Sequence, residues 1–306
     1  MRQRFDLTGW AVVLAAACGI LLGSAALAET APEAIRVQAQ GDNGTAAKAP
    51  RGAEVPPELA PAALDLRVSE KLFYDIRVNG IPAGKALLEV SKTEALDGDK
   101  GPQVWIVLLS TRSNRAVSLF YDVHDWAKSK IDVKGGFSRF YRIYKEEGGV
   151  RTEERIAFTY DIGSMEAAYE RPRSDDRSQW RTHKIPLTGK VLDPLSALYY
   201  LRTLPLKDMQ AGHTFGLPVC ADCRVWNTRF TVMKRHPALD VGYLKGRDCI
   251  EVEPELRFKG LFERKSRIRA WLDVATGIPL KMEAEIPIGP AEVVLTEASS
   301  SALPAK

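Results

Sequence analysis

The amino-acid sequence predicts a mainly β fold, in which a strongly curved antiparallel sheet, an open half-barrel, wraps around one amphipathic helix. Three observations lead to this prediction. Short apolar or alternating segments recur from about residue 70 to 297 and are separated by turns rich in Gly, Pro and Asn. A single stretch, residues 192–205, has convincing helical periodicity. Strands and helices do not alternate along the chain, which argues against a parallel sheet.

The chain begins with the features of an export signal. A basic start precedes an apolar run from Trp10 to Leu27, and Ala26-Leu27-Ala28 is a small-x-small cleavage site. We therefore expect residues 1–28 to be a cleavable signal peptide and the protein to be periplasmic or otherwise exported. The alternative is a lipoprotein signal, with a membrane anchor at Cys18. After cleavage of the signal peptide we expect no transmembrane segment.

Composition divides the rest of the chain. Residues 29–66 are rich in Ala, Pro, Gly and Gln and show no period, so we predict a disordered tether. Residues 67–298 are long enough for a single curved-sheet domain, and residues 299–306 form a tail. The net charge of +4 falls by one when the signal peptide is removed. So small a net positive charge does not indicate nucleic-acid binding, and we expect no nucleic-acid partner.

The predicted strands form two blocks on either side of the helix. Asn79-Gly80, Gly135-Gly136 and Gly148-Gly149 mark turns in the first block, and Gly289-Pro290 marks the last turn of the second. The strands of the first block are expected at residues 70–78, 86–90, 103–111, 121–132, 137–145, 150–160, 165–171 and 179–185. Those of the second block are expected at residues 214–219, 224–234, 247–254, 265–273, 278–286 and 291–297.

The helix has clear ends and one apolar stripe. The Asp193 carboxylate can cap its first turn, Pro194 suits the first helical position, and Pro205 blocks continuation. The stripe consists of Pro194, Ala197, Leu198, Leu201 and Leu204. Because so short a helix is marginal alone in water, we expect it to lie on the sheet.

Several motifs together resemble the exported bacterial family called domain of unknown function 3108. They are Glu70-x-Leu72-x-Tyr74, Gly80-x-x-Ala83-Gly84, the helix motif from Asp193 to Arg202, Trp271-Leu272-Asp273, Ile278-Pro279-Leu280 and Ile288-Gly289. The resemblance covers about residues 68–298, and the helix motif is its most specific part. It implies a fold similar in shape to the lipoprotein carriers of the LolA/LolB type. It brings no activity and no catalytic residues.

The sharpest local feature is Cys220-Ala221-Asp222-Cys223, between two strand patterns. If the two cysteines face each other across a two-residue turn, their Cα atoms are roughly 5.5 Å apart, within disulfide range. We therefore predict a structural disulfide, with a redox dithiol, a metal site or free thiols as alternatives. Cys249 alternates with apolar residues and is expected to be a small buried hydrophobe. His213 and His236 lack the spacing of zinc ligands, so no metal site is predicted.

The leading functional hypothesis is a non-enzymatic envelope protein that binds a lipid-like or other amphiphilic ligand between the curved sheet and the helix. The candidate lining residues are Trp105, Trp126, Tyr199, Tyr200 and Leu201. The sequence predicts no cofactor, because it shows no glycine-rich phosphate loop, and no nucleophile signature marks a catalytic residue. The alternatives are a protein-interaction component of an envelope assembly and a thiol oxidoreductase acting through Cys220 and Cys223.

Overall fold

The computed structural model describes residues 58–62, 64, 66–96, 101–161, 163–173, 177–255, 267–286, 289–299 and 303. The predicted signal peptide, most of the predicted tether and the alternative anchor Cys18 lie outside these residues. In the described part of the chain, a single antiparallel sheet accounts for most of the residues, and the prediction of a mainly β fold is confirmed.

In the described residues the sheet has fourteen strands and is not closed. Its spatial order is β8-β7-β6-β5-β4-β3-β2-β1-β14-β13-β12-β11-β10-β9, so that β1 joins two meanders and the edges are β8 and β9. The strands of the first meander are β1 (Lys71–Val78), β2 (Ile81–Ala95), β3 (Gln103–Ser113), β4 (His124–Asp132), β5 (Ser138–Glu147), β6 (Val150–Asp161), β7 (Ser164–Pro172) and β8 (Trp180–Pro186). Those of the second are β9 (Thr214–Ala221), β10 (Arg224–Val241), β11 (Leu244–Pro254), β12 (Ile268–Asp273), β13 (Pro279–Ile286) and β14 (Gly289–Ser299).

Two α-helices interrupt the strands in the described residues. A single turn, α1 (Arg115–Ser118), lies between β3 and β4. The helix α2 (Pro194–Tyr200) lies between the edge strands β8 and β9 and continues as a 3-10 turn over Leu201–Thr203. A second 3-10 turn follows at Leu206–Asp208. The predicted cap at Asp193 and the break at Pro205 are confirmed.

The sheet curves until residues near its two edges meet across the interior. Cys223, in the turn between β9 and β10, lies within hydrogen-bonding reach of Tyr169 on β7. The chain just before α2 ties the same two regions together. Ser138 on β5 donates its N–H to Val191 O (3.0 Å), and Cys220 on β9 donates its N–H to Leu192 O (2.7 Å). The sheet is therefore an open half-barrel whose gap is bridged by the segment that leads into the helix.

The period of two in the strands sorts side chains into an inner and an outer face. On β1 the inner side chains are Leu72, Tyr74, Ile76 and Val78, all at most 3% exposed. Equivalent inner positions on the other strands join them in one large cluster of buried side chains, which also includes Leu195 and Tyr199 of α2. The helix is buried on more sides than its predicted stripe implied, since Tyr199 and Tyr200 are buried while Leu198 is only partly buried.

The chain preceding β1 is packed rather than extended. Leu59, Leu64 and Leu66 are each 5% exposed. Ala62 donates its N–H to Gly135 O (3.3 Å), and Tyr200 donates its hydroxyl to Ala60 O (2.7 Å). Residues 58–62, 64 and 66, at the end of the predicted tether, therefore lie against the domain, and the three leucines bury their apolar side chains there. Leu303, in the predicted tail, is likewise buried.

We predict that the buried cap of α2 is a large source of stability. Asp193→Ala leaves two serine hydroxyls and two backbone N–H groups without their acceptor, and should lower the free energy of unfolding by about 3–5 kcal/mol in urea titrations at pH 7. Asp193→Asn, which keeps one acceptor oxygen, should lose about 1–2 kcal/mol. A loss of under 1 kcal/mol in the alanine variant would contradict this role.

Candidate functional site

The helix motif is held in the interior by one carboxylate. Asp193 Oδ1 accepts hydrogen bonds from the N–H groups of Leu195 and Ser196, both at 2.9 Å. Its Oδ2 accepts from the hydroxyls of Ser129 (2.6 Å) and Ser138 (2.7 Å), which lie on β4 and β5. Complete burial raises the pKa of Asp193, while these four donors favour its carboxylate form. The cap therefore joins the helix to the sheet as well as beginning it.

The other end of the helix motif is fixed by an ion pair. Arg202 Nη1 and Nη2 donate to the two carboxylate oxygens of Glu70 at 2.6 and 3.1 Å, just before β1. The Arg202 guanidinium also lies 5.5 Å from the centre of the Tyr199 ring. Such a two-point arginine–carboxylate contact fixes orientation as well as distance. The most recognisable charged residues of the motif are thus committed to anchoring the helix.

The predicted lining residues do not all face the interior. Tyr199 is 1% exposed, and its hydroxyl has no hydrogen-bond partner among the described residues. Trp105 is paired with Ile131 in the register of β3 and β4 and packs against the interior cluster. Tyr200 and Leu201 pack instead in a second cluster with Leu59. These two side chains therefore pack between the helix and the chain that precedes β1.

Trp126 lies on the outer face of β4. The inner positions of this strand are Asp125, Ala127, Ser129 and Ile131, so the alternation directs Trp126 outward. There its ring stacks on Tyr144 at a centroid distance of 5.9 Å, with the Arg142 guanidinium 5.3 Å from its centre. It is therefore separated by the sheet from the interior that it was predicted to line.

The predicted disulfide between Cys220 and Cys223 is not formed. Both residues, and Cys249, are free thiols in the structure. The strand register explains the difference, because Ala221 pairs with Arg224 and Cys220 pairs with Val225. The turn is therefore Asp222-Cys223, with φ angles of 48° and 59°, the positive pair expected of a type I′ turn. A shift of one residue places Cys223 in the turn instead of opposite Cys220.

The surroundings of the three thiols keep them protonated. Burial raises the pKa of Cys220 to about 12, with the Asp193 carboxylate adding to the effect. Burial and Asp273 raise the pKa of Cys249 to about 12, and burial and Asp222 raise that of Cys223. Because the thiolate is the reactive form, these environments disfavour thiol–disulfide chemistry at neutral pH.

The inner face carries a polar cluster at the end of the sheet away from the helix. We call it the interior polar cluster: Asp125 on β4, Lys145 and Glu147 on β5, Glu154 on β6 and Tyr169 on β7. Asp125 is fully buried and Lys145 is 4% exposed. Asp125 Oδ1 accepts from the N–H of Glu146 at 3.0 Å. Neighbouring strands thus bring several titratable side chains together on the inner face of the sheet. No sequence motif marks these residues.

The electrostatics of the interior polar cluster favour protonated carboxyls. Asp125 lies on the strand beside Glu147, and two neighbouring buried carboxyl groups favour a proton on one of them. Burial, opposed by Lys145 and supported by Asp125, raises the pKa of Glu147 to about 8. Burial also raises the pKa of Glu154, opposed by the Tyr169 hydroxyl and Lys145. At neutral pH the cluster can therefore both donate and accept hydrogen bonds.

A surface pocket of about 490 Å³ lies near the C-terminal end of the helix. It is lined by residues 204–207, 246–248 and 273–275. Three of its charged residues are engaged in ion pairs, since Arg247 Nη2 lies 2.8 Å from Asp273 Oδ1 and Asp248 Oδ2 lies 2.7 Å from Arg235 Nη2. Asp273 Oδ2 also accepts from Thr276 Oγ1 at 2.7 Å. These contacts have a structural role, because they connect the chain segments that line the pocket.

Among the residues that the structure describes, no group of three or more His, Cys, Asp or Glu residues is arranged to hold a metal ion. None of the helices in this part of the chain has both the length and the apolar character needed to cross a membrane.

Comparison with known proteins identifies the family. The model of the family described as "Protein of unknown function (DUF3108)" matches residues 74–296. The chain belongs to this DUF3108 family. The match spans the sheet from β1 to β14 and includes the helix motif. The sequence-based resemblance is thereby confirmed for the family, while the likeness in shape to lipoprotein carriers stays a prediction.

Among solved structures, the DUF3108 chain is similar to one described as a "Beta-barrel-like Protein of Domain of Unknown Function DUF1849 from Brucella abortus". The sequences are 14% identical, and the TM-score is 0.48. The alignment covers 77% of this chain and 98% of the other. No curated protein matches the chain.

We predict that the interior polar cluster makes stability depend on pH. The folded protein keeps the Glu147 proton up to about pH 8, whereas the ordinary carboxyl pKa in the unfolded chain is 4.5. Unfolding therefore releases a proton between these values, and the free energy of unfolding should fall as pH rises, by up to about 1.4 kcal/mol for each pH unit. Glu147→Gln should flatten this dependence in urea titrations from pH 5 to about pH 8.

Glu146→Gln is the matched control for this experiment. Glu146 is the neighbouring residue and forms a surface ion pair with Arg151 at 2.8 Å. It should leave the slope of stability against pH unchanged, since exposed pairs contribute little. Parallel slopes for the wild type and Glu147→Gln would contradict the assignment of the proton.

Proposed function

We propose that this DUF3108 protein is an exported, non-enzymatic protein that binds an amphiphilic, lipid-like molecule inside the half-barrel. The apolar part of the ligand would lie along the inner face of the sheet, and its polar head would lie at the interior polar cluster. The observation that carries the proposal is that the inner face is largely apolar but carries the titratable interior polar cluster away from the helix. An amphiphile likewise has an apolar part and a polar head.

The inner face has the properties that an apolar ligand requires. Cross-strand neighbours such as Leu109, Ala127 and Ile143 form a continuous apolar surface across β3, β4 and β5. In the part of the chain that the structure describes, the Nε1–H of Trp105 on β3 and the hydroxyl of Tyr199 on α2 are buried without hydrogen-bond partners. Buried polar groups usually have a partner, so these two are suited to contacts with a bound molecule.

The interior polar cluster suits a head group that exchanges hydrogen bonds. Lys145 supplies donors, Tyr169 supplies a hydroxyl, and the Asp125–Glu147 pair supplies both a proton and acceptor oxygens. Because these side chains lie on adjacent strands, they can contact one head group together. The thiols are not required in this function, since their raised pKa values make them poor nucleophiles.

We expect delipidated protein to bind the apolar fluorescent probe N-phenyl-1-naphthylamine saturably, with one site per chain. Ala127→Leu adds apolar volume at a fully buried inner position and should weaken probe binding about fivefold or more, because it occupies space that the probe needs. Fluorescence titration measures the change, and native mass spectrometry of protein purified without delipidation identifies any resident lipid.

Ala157→Leu is the matched control, since Ala157 is exposed on the outer face of β6. It should bind the probe like the wild type. Absence of saturable binding to the wild type, or equal weakening by both substitutions, would contradict interior binding. If Ala127→Leu instead destabilises the protein by about 1–3 kcal/mol, as expected for an overpacked core, the interior is filled by the chain itself.

A further inference from the structure

The connection between β3 and β4 displays two large apolar side chains to solvent. Leu119 is 78% exposed and Phe120 is 73% exposed. Ile81, in the adjoining start of β2, is 59% exposed. Together these three residues form what we call the apolar tip, at the end of the sheet opposite α2. Exposed apolar side chains that lie together on a soluble domain usually mark an interaction site.

The apolar tip is held rigidly by polar contacts beneath it. Asn114 caps α1 by accepting the Val117 N–H at 2.9 Å, and its own side-chain amide donates to Pro82 O at 2.6 Å. The hydroxyls of Ser113 and Ser118 form a hydrogen bond of 2.7 Å at the base of the connection. The fold therefore fixes the connection to its neighbour β2 while it leaves Leu119 and Phe120 outside the core.

Cations flank the apolar tip. Arg115 lies four residues before Leu119, on the same side of the helical turn, and is exposed. Arg112, also exposed, is paired in register with Lys85 across β2 and β3. The acidic residue in the connection, Asp122, accepts a hydrogen bond from Ser113 Oγ at 3.2 Å. Asp122 is exposed and Asp75 on β1 lies opposite Lys85, so the cations left beside the tip are Arg115 and Arg112, which lies between Lys85 and His124.

We propose that the apolar tip is a docking site for a membrane surface that contains anionic lipids. A projecting turn with Leu and Phe at its point can enter the headgroup region, and arginines beside it can pair with lipid phosphates. The charge complementarity selects an anionic bilayer as the occupant. This inference does not rest on interior ligand binding, although both use the end of the half-barrel where the interior polar cluster lies.

The test is sedimentation of purified protein with vesicles of phosphatidylcholine, with or without phosphatidylglycerol. We expect the wild type to bind the vesicles that contain phosphatidylglycerol and to be released as salt rises, because ions screen the arginines. Leu119→Ser combined with Phe120→Ser should weaken this binding about tenfold or more. Arg115→Gln should weaken it about fivefold, the change expected for one cation near such a surface.

The control variant combines Val68→Ser and Met233→Ser, which remove apolar side chains that are 51% and 43% exposed elsewhere on the protein. It should bind vesicles like the wild type. All substituted residues in the first two variants are exposed, so circular dichroism should show an unchanged fold.

Wild-type protein that fails to bind the phosphatidylglycerol vesicles would overturn the proposal, as would equal binding by the Leu119→Ser/Phe120→Ser variant. A third outcome would assign the tip to a second copy of the chain. In that case the wild type would form a dimer that the double substitution dissociates, without vesicle binding by either protein. Failure of the probe to bind the interior would leave the vesicle result unaffected, so the two proposals are tested separately.

Discussion

The fold depends on enclosing a short helix that could not be stable alone. Seven helical residues contribute little intrinsic stability, and their backbone polar groups must be satisfied inside a β-structure. Asp193 meets this constraint by accepting from two backbone N–H groups of the helix and from two hydroxyls of the sheet. The same carboxylate therefore caps the helix and also provides a buried acceptor for the serine hydroxyls on the inner face of β4 and β5.

The open sheet follows from the same arrangement. Strands that are neighbours in sequence pair with each other, except β8 and β9, and β1 also pairs with β14. The edges β8 and β9 are therefore connected in the chain by the segment that carries the helix. That segment contacts β5 through Val191 and β9 through Leu192. The ion pair of Arg202 with Glu70 adds an attachment near β1, at the centre of the sheet. The helix is thus joined to both meanders and to the strand between them.

Much of this could be predicted from the sequence because its signals are local. Strand alternation, glycine turns and the Asp-Pro beginning of the helix each depend on a few neighbouring residues. The hairpin at Cys220 was predicted one residue out of register, since turn type depends on backbone angles that Ala-Asp and Asp-Cys do not clearly distinguish. In β4, both faces mix apolar and polar residues, so the pattern alone did not place Trp126 outside.

The interior polar cluster depends on long-range register, which sequence reasoning did not reach. Asp125 and Glu147 come together because β4 and β5 pair, and Tyr169 joins them through two further strand pairings. The leucines before β1 could have been recognised by their apolar character, but the surrounding Ala- and Pro-rich composition concealed them. The family motif itself was recognised correctly, and the structure explains its polar residues as attachments of the helix.

Native-state hydrogen exchange tests most directly whether the enclosed helix holds the sheet together. The informative amides are those of Ala197, bonded to Asp193 O, and of Ser138 and Cys220, bonded to Val191 and Leu192. The account predicts that these amides exchange only in the global unfolding that also exposes the central residues Tyr74 and Ile76. Exchange of the helix amides in a separate opening of lower free energy, with the sheet still protected, would contradict it.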